Sequence, residues 1–157
     1  MSEARLAQEE IGYHFPLLCR RGQGRYQQLN DAQKMVQEFH EQFDIHISAT
    51  PSTPDHATQI LRNRLIQEEF EEFQEAMQSQ DLSAMAKELA DLLYVVYGTA
   101  VSLGIDMEPV FKEVHRSNMS KVGGYKREDG KWVKPPTYSP ASLESIIQTQ
   151  MESPKTG

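Results

Sequence analysis

The sequence has little of what would place a protein outside the cell or in a membrane. Cys19 is the only cysteine among the 157 residues, so no disulfide can form within the chain. The first residues lack the apolar run of a secretory signal, and the longest nearly apolar run, Leu92 to Leu103, is too short to cross a bilayer. We therefore expect a protein of the reducing cytoplasm with no membrane partner.

Positive charge and histidines at metal-binding spacing are also scarce. The formal net charge of −7 argues against a surface that coats nucleic acid, so no nucleic-acid partner is expected. A nucleotide substrate remains compatible with this charge, because bound cations reverse the sign of the field locally. The five histidines form no metal-binding spacing and no Glu-x-x-His sequence occurs, which argues against a ferritin-like di-iron bundle.

Apolar periodicity and capping residues predict an all-α protein with a single, lean core. The first helix is predicted from about Tyr26 to Phe43, and Pro140 is expected to open a short last helix. Three aspartates are placed to cap the helices between them: Asp55, Asp81 and Asp106. The predicted ends of these helices are about Gln78, Gly104 and Gly123. We expect a four-to-five-helix bundle whose core is completed by oligomerisation.

The predicted organisation has four parts. Residues 1–25 form an N-terminal extension, and residues 26–121 form the helical domain that carries the candidate site. Residues 122–139 form a basic, turn-rich loop that we expect to act as a mobile lid. Residues 140–157 form a short C-terminal helix and a tail, which we expect to be disordered from Glu152.

Two pairs of carboxylates occupy unusual positions on the second and third predicted helices. Glu69 falls within an apolar arc of its helix, and Glu72 lies at the border of that arc. Glu88 projects between apolar residues on the third helix, with Asp91 one turn further on. Two facing helices would therefore direct both pairs toward a shared core.

Burying several carboxylates together is strongly unfavourable unless a cation compensates them. Because carboxylates are the only obvious ligands, the pattern indicates Mg²⁺, with Mn²⁺ as a substitute. The ordinary alternative is a solvated acidic face, which the second pair and the apolar surroundings of Glu69 and Glu88 disfavour. Glu41 of the first helix serves as a control, since it lies opposite Phe39 and should simply be solvated.

Several other polar side chains are candidates for substrate contacts. Arg62 lies two turns before Glu69 on nearly the same face, where it is either a structural ion-pair partner or a phosphate ligand. Asn118 and Lys121 continue a stripe that begins with Phe111 and Val114, both predicted to be core residues. They form either an ordinary helix C-terminus or a phosphate-binding pair.

The order Glu68-Glu69-x-x-Glu72, fifteen residues, then Glu88-x-x-Asp91 resembles the signature of the all-α nucleoside triphosphate pyrophosphohydrolases. This superfamily includes MazG, the dimeric dUTPases and phosphoribosyl-ATP pyrophosphohydrolase. The resemblance covers about Ala32 to Pro140. Further segments that resemble MazG-like members are Arg64-Leu65-Ile66, Gly104-Ile105-Asp106, Ser117-Asn118-Met119-Ser120-Lys121, Asp129-Gly130-Lys131 and Lys134-Pro135-Pro136.

The resemblance implies a Mg²⁺-dependent homodimer or homotetramer that hydrolyses a nucleoside triphosphate to a monophosphate and pyrophosphate. It implies that Glu68 and Glu69 are catalytic, and that metal is held by Glu69, Glu72, Glu88 and Asp91. The expected substrate-binding residues are Arg62, Asn118, Lys121, Tyr125, Lys131 and Lys134. Phosphoribosyl-ATP is the alternative substrate, and a non-catalytic helical interaction module stabilised by metal is the alternative of another class.

Overall fold

The computed structural model describes residues 30–152. The predicted extension 1–25, the first residues of the predicted first helix and the tail after Glu152 lie outside this range. The elements in chain order are α1 (Asp31–Gln42), α2 (His56–Ser79), α3 (Leu82–Leu103), α4 (Met107–Met119), β1 (Tyr125–Lys126), β2 (Trp132–Val133) and α5 (Glu144–Glu152). The predicted all-α fold is confirmed, with one small antiparallel ribbon added between α4 and α5.

The helix starts follow from capping side chains that accept hydrogen bonds from otherwise unsatisfied amides. Asp55 accepts from the amide of Thr58, and Asp106 accepts from the amide of Glu108. Asp81 accepts from two amides of the first turn of α3. All three predicted caps are confirmed, and Asn30 caps α1 in the same way.

The helix ends were predicted less well. Gly104 terminates α3 in the left-handed region at φ +70°, as predicted, because glycine adopts that conformation without steric cost. The prediction that α4 extends to Gly123 is wrong, since α4 ends at Met119 and leaves Lys121 outside the helix. The hydroxyl of Ser120 donates to the carbonyl of Ser117 and accepts from the amide of Ser139. These bonds compete with continuation of the helix.

The start of α5 was also predicted wrongly, at Pro140 instead of Glu144. The segment before α5 is held against α4 by polar contacts. Arg116 donates to the carbonyl of Pro140, and the amide of Ser142 donates to the carboxylate of Glu113. Arg116 and Ser142 hold the pKa of Glu113 at about 2, well below its usual range. Because these contacts satisfy backbone groups outside a helix, the helix begins only after them.

The helices pack around α3, against which both α1 and α2 lie. Among the described residues, the buried hydrophobic side chains are few and small: Val36, Ala76, Ala100 and Val101. The prediction of Phe111 as a core residue is wrong within this chain, because Phe111 is 69% exposed. Val114 is likewise exposed. The physical reason is that α4 bends away from α3 by 115°, which leaves that face of α4 uncovered.

The apolar half of α3 is not buried on all sides within the single chain. Gly98, Ala100, Val101 and Ser102 are buried, but Leu93 is 53% exposed and Val96 is also exposed, so the single chain covers only one face. Within residues 30–152 no single helix is long and apolar enough to cross a membrane, although α3 and α4 together meet that length and composition as a bent pair. Covering of the exposed face by a second subunit stays a prediction.

Gln33 joins α1 to the turn between α3 and α4. Its side chain is 1% exposed, donates to the carbonyl of Ile105 at 2.7 Å and accepts from the amide of Met107 at 3.0 Å.

Gln33→Ala is expected to lower the free energy of unfolding by about 3 kcal/mol, since two buried backbone groups lose their partners. Urea denaturation measures this, and the exposed Gln78→Ala should change it by less than about 0.5 kcal/mol. Equal effects of both substitutions would contradict the proposed link.

The predicted lid contains the ribbon, in which Tyr125 pairs with Val133 and Lys126 pairs with Trp132. The indole Nε1 of Trp132 donates to the carbonyl oxygen of Lys121 at 2.8 Å, which attaches the ribbon to the turn that follows α4. The segment is therefore a short hairpin and not an irregular loop throughout. Its mobility stays a prediction.

Candidate functional site

Glu69, Glu88 and Asp91 meet at the packed surface between α2 and α3. One carboxylate oxygen of each residue lies within 4.8 Å of the other two, and all three residues are half-buried. Glu88 and Asp91 share a face because residues three apart are neighbours on a helix. We call Glu69, Glu88 and Asp91 the carboxylate cluster.

The carboxylate cluster carries negative charge that is only partly compensated. Burial raises the pKa of Glu69, and the nearby charges of Glu72 and Asp91 raise it further. The Lys87 ammonium lies against the other two members, with Nζ 2.9 Å from Asp91 Oδ2 and 3.0 Å from Glu88 Oε1. Its hydrogen bonds to Asp91 and Glu88 raise the pKa of Lys87 above its usual range. The cluster therefore attracts a cation, and one lysine offsets only part of its charge.

The donor set of the cluster fits a hard divalent cation. All three ligands are carboxylate oxygens, which suit Mg²⁺ and Mn²⁺ and not the softer metals that prefer thiolate or imidazole. The position of Lys87 shows that a positive charge is accommodated beside Glu88 and Asp91. A divalent ion that displaced this ammonium would meet the same oxygens.

Two further predicted carboxylates lie outside the cluster. Glu72 is exposed, although it is near enough to raise the pKa of Glu69. Glu68 is exposed as well, with its Oε1 3.7 Å from Nε of Arg64. The roles predicted for Glu68 and Glu72 therefore remain predictions. The control residue Glu41 is exposed and accepts from Gln37, as its position opposite Phe39 predicted.

Arg62 is not the exposed or ion-paired residue that its charge would suggest. It is 8% exposed, and its Nε has no hydrogen-bond partner within residues 30–152. No carboxylate between residues 30 and 152 forms a salt bridge with its guanidinium. Burial lowers the pKa of Arg62, which reports the cost of this unpaired charge. Of the two interpretations left open by the sequence, the structural ion pair gains no support from the described part of the chain.

The remaining candidates lie at and beyond the end of α4. Nζ of Lys121 donates to Oδ1 of Asn118 at 2.7 Å, and Nζ of Lys134 lies 4.0 Å from the centre of the Tyr138 ring. Tyr125 and Lys131 are exposed in the hairpin. For residues 30–152, no hydrogen bond or ion pair links these side chains to the carboxylate cluster. Contact of these side chains with a substrate stays a prediction.

The structure brings to notice two residues that were not predicted from the sequence. Lys87 directly precedes Glu88 and lies four residues before Asp91, a helical spacing that indicates an ion pair. His40 is buried beside Arg62, and nothing in the pattern of histidines indicated this. The ion pair of Lys87 could have been predicted from its spacing, whereas the burial of His40 depends on how α1 packs.

Lys87→Met should increase the response of the protein to Mg²⁺. Without the ammonium, Glu88 and Asp91 repel each other more strongly in the metal-free protein, and no lysine competes with the ion. We expect a lower unfolding midpoint in EDTA and a several-fold tighter apparent Mg²⁺ affinity, measured by calorimetric titration. Lys112→Met removes a lysine that pairs with Glu108 on α4 and should leave the Mg²⁺ affinity unchanged. Weaker Mg²⁺ binding by Lys87→Met would show that Lys87 does not compete with the metal.

Comparison with known proteins agrees with this geometry. The profile of the family described as phosphoribosyl-ATP pyrophosphohydrolase matches residues 36–118, just over half of the chain. The matched range contains both helices that carry the carboxylate cluster, and it ends at Asn118. No curated protein matches the chain significantly. The chain therefore belongs to the phosphoribosyl-ATP pyrophosphohydrolase family, in the MazG-like superfamily of nucleotide pyrophosphohydrolases.

Proposed function

We propose that the protein is a Mg²⁺-dependent nucleoside triphosphate pyrophosphohydrolase, with Mn²⁺ as a substitute cation. It would cleave its substrate between the α- and β-phosphates and release a nucleoside monophosphate and pyrophosphate in the cytoplasm. The observation that carries the proposal is the carboxylate cluster, which lies within the segment matched by the family profile. A nucleotide-pool house-cleaning role would be consistent with this reaction.

Glu69, Glu88 and Asp91 would hold the metal, with Glu72 able to join them from the next turn of α2. A bound Mg²⁺ would supply neutralisation of phosphate oxygens and a lowered pKa of bound water. The exposed carboxylate of Glu68 would orient the attacking water and accept its proton. The new bond would join the water oxygen to the α-phosphorus, and the bond to the bridging oxygen of pyrophosphate would break.

The basic residues beyond α4 would stabilise the leaving group. Lys121, Lys131 and Lys134 would offset the negative charge that develops on pyrophosphate. Because Lys121 donates to Oδ1 of Asn118, the amide nitrogen of Asn118 would remain to donate to a phosphate oxygen. Tyr125 would contribute from the same hairpin. Closure of this lid over the substrate is part of the proposal.

Phosphoribosyl-ATP is the second candidate substrate, because the family description names its hydrolysis. Its cleavage would also release pyrophosphate, so the same metal site would serve both reactions. A parallel assay of phosphoribosyl-ATP and the common nucleoside triphosphates separates the two candidates by their kcat/KM values. Turnover of none of them with Mg²⁺ present would favour the non-catalytic, metal-stabilised module.

The position of attack is tested by hydrolysis in ¹⁸O-labelled water, with and without Mg²⁺. The proposal predicts label in the monophosphate, unlabelled pyrophosphate and no turnover in EDTA. Label in pyrophosphate would mean attack on the β-phosphorus. Orthophosphate as the first product would indicate a different phosphohydrolase reaction, and either result would overturn the assignment.

The active form is proposed to be a homodimer or homotetramer. Large apolar side chains of α3 and α4 remain exposed in the single chain, including Leu93, Val96 and Phe111. Burial of this face in a subunit interface would complete the core. Analytical ultracentrifugation distinguishes a dimer and a tetramer from a monomer. A monomer at all protein concentrations would contradict this part of the proposal.

A further inference from the structure

Arg62 is a buried cation without a partner among the described residues. Its residue exposure is 8%, and its Nε donates to no atom in the part of the chain that the structure describes. Burying a charged guanidinium costs several kcal/mol unless hydrogen-bond acceptors surround it. Because this burial is costly, it indicates that a ligand supplies the missing hydrogen-bond acceptor when it binds.

The neighbour of Arg62 on α1 is a histidine in a fixed state. His40 is 2% exposed, and its Nδ1 lies 3.2 Å from the carbonyl oxygen of His46. Since a carbonyl only accepts, Nδ1 carries the proton, and Nε2 of the neutral ring is an acceptor. Burial lowers the pKa of His40, the hydrogen bond to His46 opposes this shift, and the positive charge of Arg62 adds to it, so the net shift favours the neutral ring.

Gly98 of α3 allows these two groups to converge on its backbone, at a point where even a methyl group would be crowded. A methyl group added at Gly98 would lie 3.1 Å from Nε2 of His40 and 3.2 Å from Nη1 of Arg62. A guanidinium donor and an imidazole acceptor therefore lie side by side at the meeting point of α1, α2 and α3. A phosphate offers acceptors only and would leave Nε2 of His40 facing a negative charge. The edge of a nucleobase offers an acceptor next to a donor and matches both groups.

The distance between Arg62 and the carboxylate cluster suits a nucleotide whose base lies at Arg62. Arg62 precedes Glu69 by two turns on nearly the same face of α2, which corresponds to about 10 Å along the helix axis. The sugar and base of a nucleotide span such a separation when its phosphates lie at the cluster. The other charged groups of the proposed site, the lysines beyond α4, are not bonded to Arg62 or His40.

We propose that Arg62 and His40 form the base-recognition site of the nucleotide substrate and select a lactam edge, as in guanine, uracil or thymine. This inference rests on the proposed function, because it assumes phosphates at the carboxylate cluster. A lactam carbonyl has two lone pairs and accepts from two guanidinium N–H groups, while its neighbouring N–H donates to Nε2 of His40. The ring nitrogen of adenine or cytosine has one lone pair and pairs less completely with Arg62.

The first test compares kcat/KM for GTP and UTP with that for ATP and CTP. The expected preference for GTP and UTP is about tenfold or more, in line with one bidentate guanidinium contact. Arg62→Gln should reduce this ratio to near one by lowering the GTP and UTP values. Arg64→Gln removes the same charge from an exposed position of α2 and should leave the ratio unchanged. Equal use of all four nucleotides by the unaltered protein would overturn the proposal.

A second variant leaves both recognition groups in place. Gly98→Ala introduces a methyl group against Nε2 of His40 and Nη1 of Arg62, so it should lower the ratio without touching the carboxylate cluster. An unchanged ratio in a folded Gly98→Ala protein would contradict recognition at this point.

Binding of monophosphates without Mg²⁺ separates failure of this inference from failure of the proposed function. GMP and UMP should bind more tightly than AMP and CMP and should shift the His40 imidazole signals in a nitrogen-15 NMR spectrum. Absence of turnover with every triphosphate would overturn the proposed reaction, whereas the monophosphate preference would still support base recognition. Equal binding of the four monophosphates would overturn base recognition even if turnover is present.

Discussion

Glu69→Gln and Asp91→Asn are each expected to lower kcat by about three orders of magnitude, because a bound metal contributes several kcal/mol of transition-state stabilisation. Each substitution keeps the shape of the side chain but removes a charged oxygen ligand from the carboxylate cluster. The fold should persist, since neither residue belongs to the hydrophobic core. Steady-state assays at saturating nucleotide and Mg²⁺, with circular dichroism as the check of folding, measure the effect.

A matched control is available on α2. Glu71 is an exposed carboxylate that accepts a hydrogen bond from Gln67, so Glu71→Gln changes the same net charge on the same helix without entering the cluster. Its kcat should stay near that of the unaltered protein. Near-normal rates for both Glu69→Gln and Asp91→Asn would place the metal, and therefore the reaction, elsewhere.

The carboxylate cluster could be predicted from the sequence because its geometry is mainly local. Helical periodicity alone places Glu69 within an apolar arc, and it places Glu88 and Asp91 on one face. Once α2 and α3 pack together, those faces meet, as the structure shows. The three aspartate caps were predictable for the same reason, since capping involves residues only two or three positions apart.

Features that depend on tertiary geometry could not be predicted in this way. The stripe containing Phe111 and Val114 is apolar, but its burial depends on the direction of α4 after Gly104, which periodicity does not specify. The end of α4 depends on hydrogen bonds to Ser139, far along the chain. The buried environment of Arg62 depends on the packing of α1 and on the missing side chain of Gly98. These contacts are long-range, so local patterns carry no signal for them.

Mg²⁺ is expected to raise the unfolding midpoint of the protein substantially. Burial raises the pKa of Glu69, and the nearby charges of Glu72 and Asp91 raise it further, so a bound cation would relieve both the desolvation of this carboxylate and the repulsion within the cluster. A ligand that binds only the folded state at about one hundred times its Kd contributes about 2.7 kcal/mol. For a protein of this size, that corresponds to an increase in midpoint of about 5 to 10 °C.

Differential scanning fluorimetry in EDTA and over a range of MgCl₂ concentrations measures this increase. NaCl at matched ionic strength is the control for general screening, which acts on all exposed charges and not specifically on the cluster. Glu69→Gln should raise the midpoint in EDTA, because it removes one of the repelling charges, and should shrink the further gain from Mg²⁺. Since Glu71→Gln leaves the cluster intact, its response should match that of the unaltered protein. A midpoint that is the same in EDTA and at high MgCl₂ would exclude a metal site in the folded protein and leave the repulsion at Glu69 to be offset by Lys87 alone.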